Sequence, residues 1–204
     1  EWSPYRHPSA IDHQLSATFM DYVSKFETGL PYEAFLDRYA DSTERQRWDS
    51  FHATVSLTDD QQALLKSWVR DMNVLVVAGT WCGDCVNQCP IFEHFAAATP
   101  KIRVRYFDRD DNPDLTAELQ TCGGARVPVV VFLSEDGQFC GRYGDRTLAA
   151  YRNIISQVAG AYCPTGINHD ASLTEQVVAD WLREFERIQW MLRTSSRLRQ
   201  LHGD

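Results

Sequence analysis

The sequence predicts an α/β protein, a central mixed β-sheet flanked by helices, with helical extensions at its N- and C-terminal ends. Three observations predict it. Helical apolar spacing fills the first third of the chain. From Asn73 onward, short β-branched runs alternate with helical stretches, the order of a layered α/β unit. One more amphipathic helical pattern closes the chain.

Apolar residues first recur as Ile11, Leu15, Phe19, Tyr22, Val23 and Phe26, the spacing of a helix with one buried face, until Gly29 and Pro31 break it. A short helix follows from about Tyr32 to Tyr39. Another runs from Ser42 to about Ala53, with Trp48, Phe51 and Val55 on its apolar side. Thr58 and Gln61 have the spacing of a capping box, opening a helix with the stripe Leu64, Leu65, Trp68, Val69 and Met72. Val74 to Ala78 is continuously apolar and β-branched, as in a buried parallel strand. Next come a helix from about Cys82 to Ala98, a strand through Ile102, Val104, Tyr106 and Phe107, and a short helix after Pro113. A strand from Val127 to Leu133, a turn at Glu135-Asp136-Gly137 and a strand through Phe139 and Tyr143 form a hairpin. Thr147 is expected to cap a helix reaching about Gly160, and Cys163 to Gly166 reads as a loop. Ser172 or Thr174 then caps the last helix, whose apolar face is Val177, Val178, Trp181, Leu182, Phe185, Ile188 and Leu192.

Composition narrows the functional classes. With 204 residues, 44% hydrophobic and 24% charged, the chain is too apolar for a disordered tail. Mean hydropathy is −0.38, and no apolar run approaches the roughly 18 residues that span a bilayer, so no membrane partner is expected. A net charge of −8 argues against nucleic acid, which needs a positive field. Glu1 to Ala10 lacks a basic-then-apolar secretory pattern, and the expected location is cytoplasmic. Six cysteines are too few for a disulfide-stapled mini-scaffold.

Two of those cysteines form a motif. Trp81-Cys82-Gly83-Asp84-Cys85 lies where the buried strand hands over to a helix. At a helix N-terminus, unpaired N–H groups and the macrodipole favour a thiolate on Cys82. Cys85, three residues on, lies on the same side within disulfide reach. Cys82 is expected to attack and Cys85 to resolve.

The chain here resembles the thioredoxin family over roughly residues 57 to 160. Beside the Cys-Gly-Asp-Cys motif and its preceding strand, Pro90 matches the family's helix-kinking proline, and Asp110-Asp111-Asn112-Pro113 its segment after the next strand. Val127-Pro128 matches the family's cis-proline, and Gly137 and Gly144 its hairpin glycines. The resemblance implies a thiol–disulfide oxidoreductase of a bacterial cytoplasm, acting chiefly as a reductant. Its expected partners are a protein disulfide substrate and a separate thiol reductant, with no cofactor. It implies Cys82 and Cys85 as catalytic residues, and Trp81, Gly83, Asp84, Arg126, Val127, Pro128 and Gly144 as the substrate surface. The Val127 backbone would pair with an extended substrate segment. The alternative is a thioredoxin-like binding or redox-sensing module, with zinc held by Cys82, Cys85 and Cys89 plus Cys122 or His94. The divisions expected are 1–56 (helical extension), 57–162 (thioredoxin-like domain) and 163–204 (helical extension packed on the core).

Two departures from the family stand out. Asp84 replaces the usual proline between the cysteines and is expected to raise the Cys82 pKa. Val76 occupies the register where the family buries an acid, and Asp84 is expected to stand in for it. Of the other candidates, Cys89 reads as a buried filler and Cys122 as a packed helix-end residue rather than an auxiliary thiol. Cys140 and Cys163 would pair only in an oxidising compartment. Arg126 reads either as a thiolate-stabilising or acidic-partner-selecting group or as a solvated charge. Asp145-Arg146-Thr147 is placed on the rim of the same groove. Asp108 to Asp111 reads as a solvated turn, His94 as a half-buried surface residue, and Arg193, Arg197 and Arg199 as partners of the last helix's negative end.

Overall fold

The computed structural model describes residues 20–159 and 171–204. Helix α1 spans Tyr22–Glu27, with the Asp21 carboxylate accepting from the N–H groups of Val23 and Ser24 at its start. The earlier part of that predicted helix, Ile11 to Phe19, lies outside the described residues, as do Cys163 to Gly166. Helix α2 spans Tyr32–Tyr39 and α3 spans Ser42–His52, the latter opened by an Asp41/Glu44 capping box. Helix α4, Asp59–Lys66, begins with the predicted Thr58/Gln61 box.

The α4 stripe is shorter than its spacing suggests. The helix ends at Lys66, Val69 is exposed, and Met72 opens strand β1 (Met72–Ala78). Met72 pairs with Ile102 on one side and Ser134 on the other, so sheet pairing overrides the helical period there.

The predicted helix over 82–98 is two helices, α5 (Gly83–Val86) and α6 (Cys89–Ala98). Pro90 causes the break, since it has no N–H to donate to the Val86 carbonyl and its ring would collide with that group. Gln88 leaves the helical region, with φ of −132°. Strand β2 (Ile102–Asp108) and helix α7 (Pro113–Glu118) follow. Strand β3 runs Val129–Ser134, starting two residues later than predicted, because Pro128, which follows Val127 through a cis bond, has no N–H for a ladder. Strand β4 (Phe139–Gly144), α8 (Leu148–Ala159), α9 (Leu173–Thr194) and α10 (Ser196–His202) complete the order. Ser172 caps α9 in a capping box with Glu175, and Ser195 caps α10, a separate helix that the sequence reading did not anticipate.

The sheet order is β2-β1-β3-β4, with β1 parallel to β2 and both other pairings antiparallel. Leu30 bridges Tyr106 on the outer edge of β2, through hydrogen bonds of 2.7 and 3.0 Å. Strands β1 and β3 are buried at every position, as strands covered on both faces must be. On one face, Tyr106 packs against Tyr32 and Phe35 of α2. On that same face, Phe185 of α9 meets Phe92 and Phe95 of α6 and Phe132 of β3, at centroid distances of 5.6, 5.2 and 5.0 Å. Each such buried ring contributes about 2–3 kcal/mol of transfer free energy. The C-terminal helix is therefore part of the core. On the opposite face, Leu115 and Leu119 of the α7 region meet Val77 and Val129. Among the described residues no helix is long and apolar enough to cross a membrane.

Candidate active site

The segment after β1 is fixed from the N-terminal helices. Trp48 of α3, fully buried, donates its indole N–H to the Thr80 carbonyl at 2.9 Å, and the Thr80 hydroxyl donates to Glu44 at 2.8 Å. Trp81 stays 45% exposed, with the Arg109 guanidinium 4.5 Å from its ring centroid. Cys82 follows as the residue before the first turn of α5, its N–H bonded to the Gly79 carbonyl.

Cys82 is partly exposed and Cys85 is fully buried behind it; both are free thiols. The Cys82 Sγ donates to the Val127 carbonyl at 3.5 Å, which brings the cysteine motif against the Val127–Pro128 cis bond. Gly144 sits on the other side of that bond: with φ of +113°, a Cβ there would lie 2.4 Å from the Pro128 carbonyl oxygen, so only glycine fits. Its hydrogen bond with Cys85, then burial, push the Cys82 thiol well above its ordinary pKa, while the backbone N–H groups of Cys85 and Asp84 act in the opposite direction. Burial likewise raises Cys85. The N–H groups at the start of α5 thus act on Cys82 in the direction expected of a helix N-terminus, opposed by its contact with Cys85 and by burial.

Asp84 does not face the thiols as a free charge. Its carboxylate takes two hydrogen-bonded contacts from Arg146, Nη2 to Oδ2 at 2.6 Å and Nε to Oδ1 at 3.0 Å. Arg146 also reaches Asp145 at 3.4 Å, and Arg126 reaches the same Asp145 oxygen at 3.2 Å. Asp145 is buried and receives a hydrogen bond from the Tyr151 hydroxyl as well. Burial raises its carboxyl, but Tyr151, its own backbone and Arg126 together bring it below the ordinary value. Arg126 is thus a member of an ion-pair chain and not an isolated solvated charge.

Gln88, in the break between α5 and α6, ties this chain to the core. Its amide donates to the Asp84 and Asp145 carbonyls at 3.1 and 3.0 Å, and its oxygen accepts from the Trp181 indole N–H at 3.0 Å. A cleft of about 260 Å³ opens beside Asp84, with Phe51, Asn87, Ile154 and Val177 in its walls, so helices from both ends of the chain border the motif.

The remaining candidates are spread out. Gly83 begins α5, with the Arg47 guanidinium at the distance of ordinary contact from where a side chain would start. Cys89 is fully buried. Among the described residues, no three His, Cys, Asp or Glu side chains converge as metal ligands do, and His94 stacks on His52 at 4.3 Å instead. Cys122 is exposed in a turn with φ of +51°, contrary to the packed position expected of it. Asp108 closes its turn by accepting from the N–H groups of Asp110 and Asp111 at 2.9 and 3.1 Å. Arg193 lies in the last turn of α9 and Arg199 in that of α10, where Arg199 donates to the Asp204 carbonyl at 3.0 Å, whereas Arg197 pairs with Asp136. Gln88, Arg47 and Tyr151 were missed by sequence reasoning. Only Gln88 carried a signal, as a polar residue within an otherwise apolar helical face just before a proline.

The comparisons agree with this architecture. A thioredoxin family profile matches residues 29–158. A protein of unknown function from Pseudomonas aeruginosa is 20% identical, covering 83% of this chain and 99% of its own, with a TM-score of 0.64. An HIV epitope scaffold is 20% identical, covering 81% of this chain and 99% of its own, with a TM-score of 0.59. Mitochondrial thioredoxin 3 from Saccharomyces cerevisiae is 28% identical over 46% of this chain and 86% of its own, with a TM-score of 0.31. No curated protein matches significantly. The first two likenesses show a shared fold, and the profile spans well over half of the residues: this chain belongs to the thioredoxin family.

Proposed function

We propose that this protein is a thiol–disulfide oxidoreductase that reduces protein disulfides through Cys82 and Cys85. Family membership supports a thiol–disulfide redox type of function in general. The observation that carries the finer reading is the asymmetry of the pair: a partly exposed Cys82 at the Val127 carbonyl, with a fully buried Cys85 in hydrogen-bonding contact behind it. Cys82 as thiolate attacks a substrate disulfide and forms a mixed disulfide, releasing one substrate thiolate that takes up a proton. Cys85 then attacks the Cys82 sulfur, the second substrate thiol leaves, and the Cys82–Cys85 disulfide remains for an external thiol to reduce.

The raised thiols favour the reducing direction. Strong dithiol oxidants gain their driving force from a stabilised thiolate in the reduced form. Here both thiols are held up, by contact and burial for Cys82 and by burial for Cys85, so the reduced form lacks that stabilisation. A reductant belongs in a compartment where thiols are kept reduced, such as the cytoplasm. Trp81, Gly83, Asp84, Arg126, Val127, Pro128 and Gly144 form the surface that meets the substrate in this reading.

Insulin reduction with dithiothreitol tests it. Wild type accelerates the reaction and Cys82→Ser falls to the uncatalysed rate; a variant as fast as wild type overturns the reading in favour of a binding module. A measured potential at or below about −220 mV supports the reductant direction, whereas one near about −120 mV reverses it.

A further inference from the structure

Arginines surround the cysteine motif of a chain whose net charge is −8. Arg47 is exposed on α3, and its Nη2 lies 3.7 Å from where a Gly83 side chain would begin. Trp48 and Glu44 of the same helix hold the Thr80 carbonyl and hydroxyl at 2.9 and 2.8 Å, so Arg47 is carried on a helix fixed to the segment that leads into Cys82. Among the described residues its guanidinium has no ion-pair or hydrogen-bond partner. The Arg109 guanidinium stacks 4.5 Å from the Trp81 ring centroid. Arg126 precedes Val127, whose carbonyl meets Cys82, and its side chain is 44% exposed.

The carboxylates of this rim are already taken. Arg146 holds Asp84 at two points, Arg109 holds Asp110, and the buried Asp145 is shared by Arg126 and Arg146. Of the five N–H groups a guanidinium carries, Arg126 uses one on Asp145. Donors therefore outnumber the acceptors that the rim supplies, and Arg47 is left as an uncompensated charge beside Gly83.

We infer that this rim recognises carboxylates, and that the preferred substrate is a protein disulfide whose cysteines are flanked by Asp or Glu. The inference rests on the reading that Cys82 attacks a substrate disulfide. A guanidinium fork matches a carboxylate in plane and spacing, and charge complementarity at a contact surface selects among partners more than it adds affinity. A lysine-flanked disulfide brings a like charge to Arg47 and is disfavoured at the same point. The acidic remainder of the chain repels an acidic substrate at long range, but at 0.15 M salt the Debye length is about 8 Å. Distant charges are then screened while guanidinium–carboxylate contacts persist, so the preference is short-range.

Three synthetic peptides test it, each with one intramolecular disulfide whose cysteines are flanked by Glu, Gln or Lys. With the full chain in about 0.15 M salt, kcat/KM for each peptide is divided by its rate constant with dithiothreitol alone, which removes the intrinsic reactivity of the disulfide. The normalised values are expected in the order Glu, Gln, Lys, with Glu about fivefold above Lys. The Glu-to-Lys ratio is expected to fall about twofold in Arg47→Gln and to fall in Arg126→Gln as well; as a ratio, it is insensitive to a uniform loss of activity. Equal values for the three peptides, or Lys ahead of Glu, overturn the inference and leave the oxidoreductase reading standing. A ratio unchanged in Arg47→Gln does the same. Oxidised glutathione, whose carboxylates come without a protein segment, is expected to lag behind the Glu peptide; if it leads, a protein segment is the wrong substrate class. If no peptide is reduced faster than with Cys82→Ser, the oxidoreductase reading itself fails. The wild-type ranking decides by itself should a variant not fold.

Discussion

Arg146 grips Asp84 at two points, Nη2 to Oδ2 at 2.6 Å and Nε to Oδ1 at 3.0 Å, so the acid between the two cysteines is neutralised by a residue 62 positions later. A paired carboxylate exerts little net field on a nearby thiol, whereas an unpaired one opposes its ionisation. Arg146→Ala is therefore expected to slow iodoacetamide alkylation of Cys82 at pH 7.5 by about threefold, and Asp84→Asn to speed it by a similar factor. Equal rates in both variants and wild type would show that the pair serves only to position Arg146.

The Cys82 thiol itself sets a pH dependence. Contact with Cys85 and burial hold it well above its ordinary pKa, so its thiolate fraction is small at neutral pH. The alkylation rate of Cys82 in the reduced protein is expected to climb about tenfold per pH unit through pH 8 and beyond, without levelling near neutrality. Stopped-flow rates across the range check this; a plateau below pH 7 contradicts it.

Glu93 supplies a second, independent pH dependence. Burial raises its carboxyl to about 7, against a hydrogen bond from Tyr106 at 2.9 Å that lowers it, with Glu33 raising and Arg105 lowering it further. Between the unfolded value of 4.5 and about 7, the folded chain binds the extra proton. Stability therefore falls as pH rises through that window and levels off above it. This group's share is at most about 3 kcal/mol. Urea unfolding of wild type and Glu93→Gln at pH 4.5 and 7.5 isolates the effect, which is expected to shrink in the variant.

What could be read in advance follows from which forces are local. The Thr58/Gln61 box, the buried run of β1 and the Cys82-to-Cys85 spacing are set by neighbours in sequence, and each forms as its residues indicate. The Asp84–Arg146 pair and the contact between Cys82 and the Val127 carbonyl depend on segments brought together by the sheet. No periodicity encodes them. Met72 makes the same point within the fold, since its helical spacing from Trp68 is real but pairing with Ile102 and Ser134 decides its place.

Gly144→Ala is expected to destabilise the fold by about 2–4 kcal/mol, combining a positive φ with a backbone collision. The added Cβ would lie 2.4 Å from the Pro128 carbonyl oxygen, and that oxygen belongs to backbone with no side-chain rotation to relieve it. Because Pro128 borders the Val127 carbonyl that Cys82 contacts, insulin reduction is expected to fall along with the urea midpoint. Wild-type stability in this variant would mean that β4 shifts away from Pro128 without cost.

Gln88 joins the C-terminal helix to the candidate site, and a double-mutant cycle measures the coupling. Its side chain satisfies the Asp84 and Asp145 carbonyls and the Trp181 indole N–H, all from a position 2% exposed. Gln88→Leu leaves these three groups without that partner, and buried orphans cost about 1–3 kcal/mol each before relaxation. A loss of about 3 kcal/mol in urea unfolding is expected. Trp181→Phe removes a single donor and a little ring area, for a smaller loss of about 1–2 kcal/mol. Both substitutions break the same hydrogen bond, so the double variant should lose less than the sum of the single losses, by about 1 kcal/mol. Simple additivity would place the link elsewhere, in the packing of Trp181 against Phe92 and Tyr143. Cys82 alkylation separates the two cases further: Gln88→Leu frees the Asp84 and Asp145 backbone and is expected to change the rate, whereas Trp181→Phe leaves those two carbonyls bonded and is not.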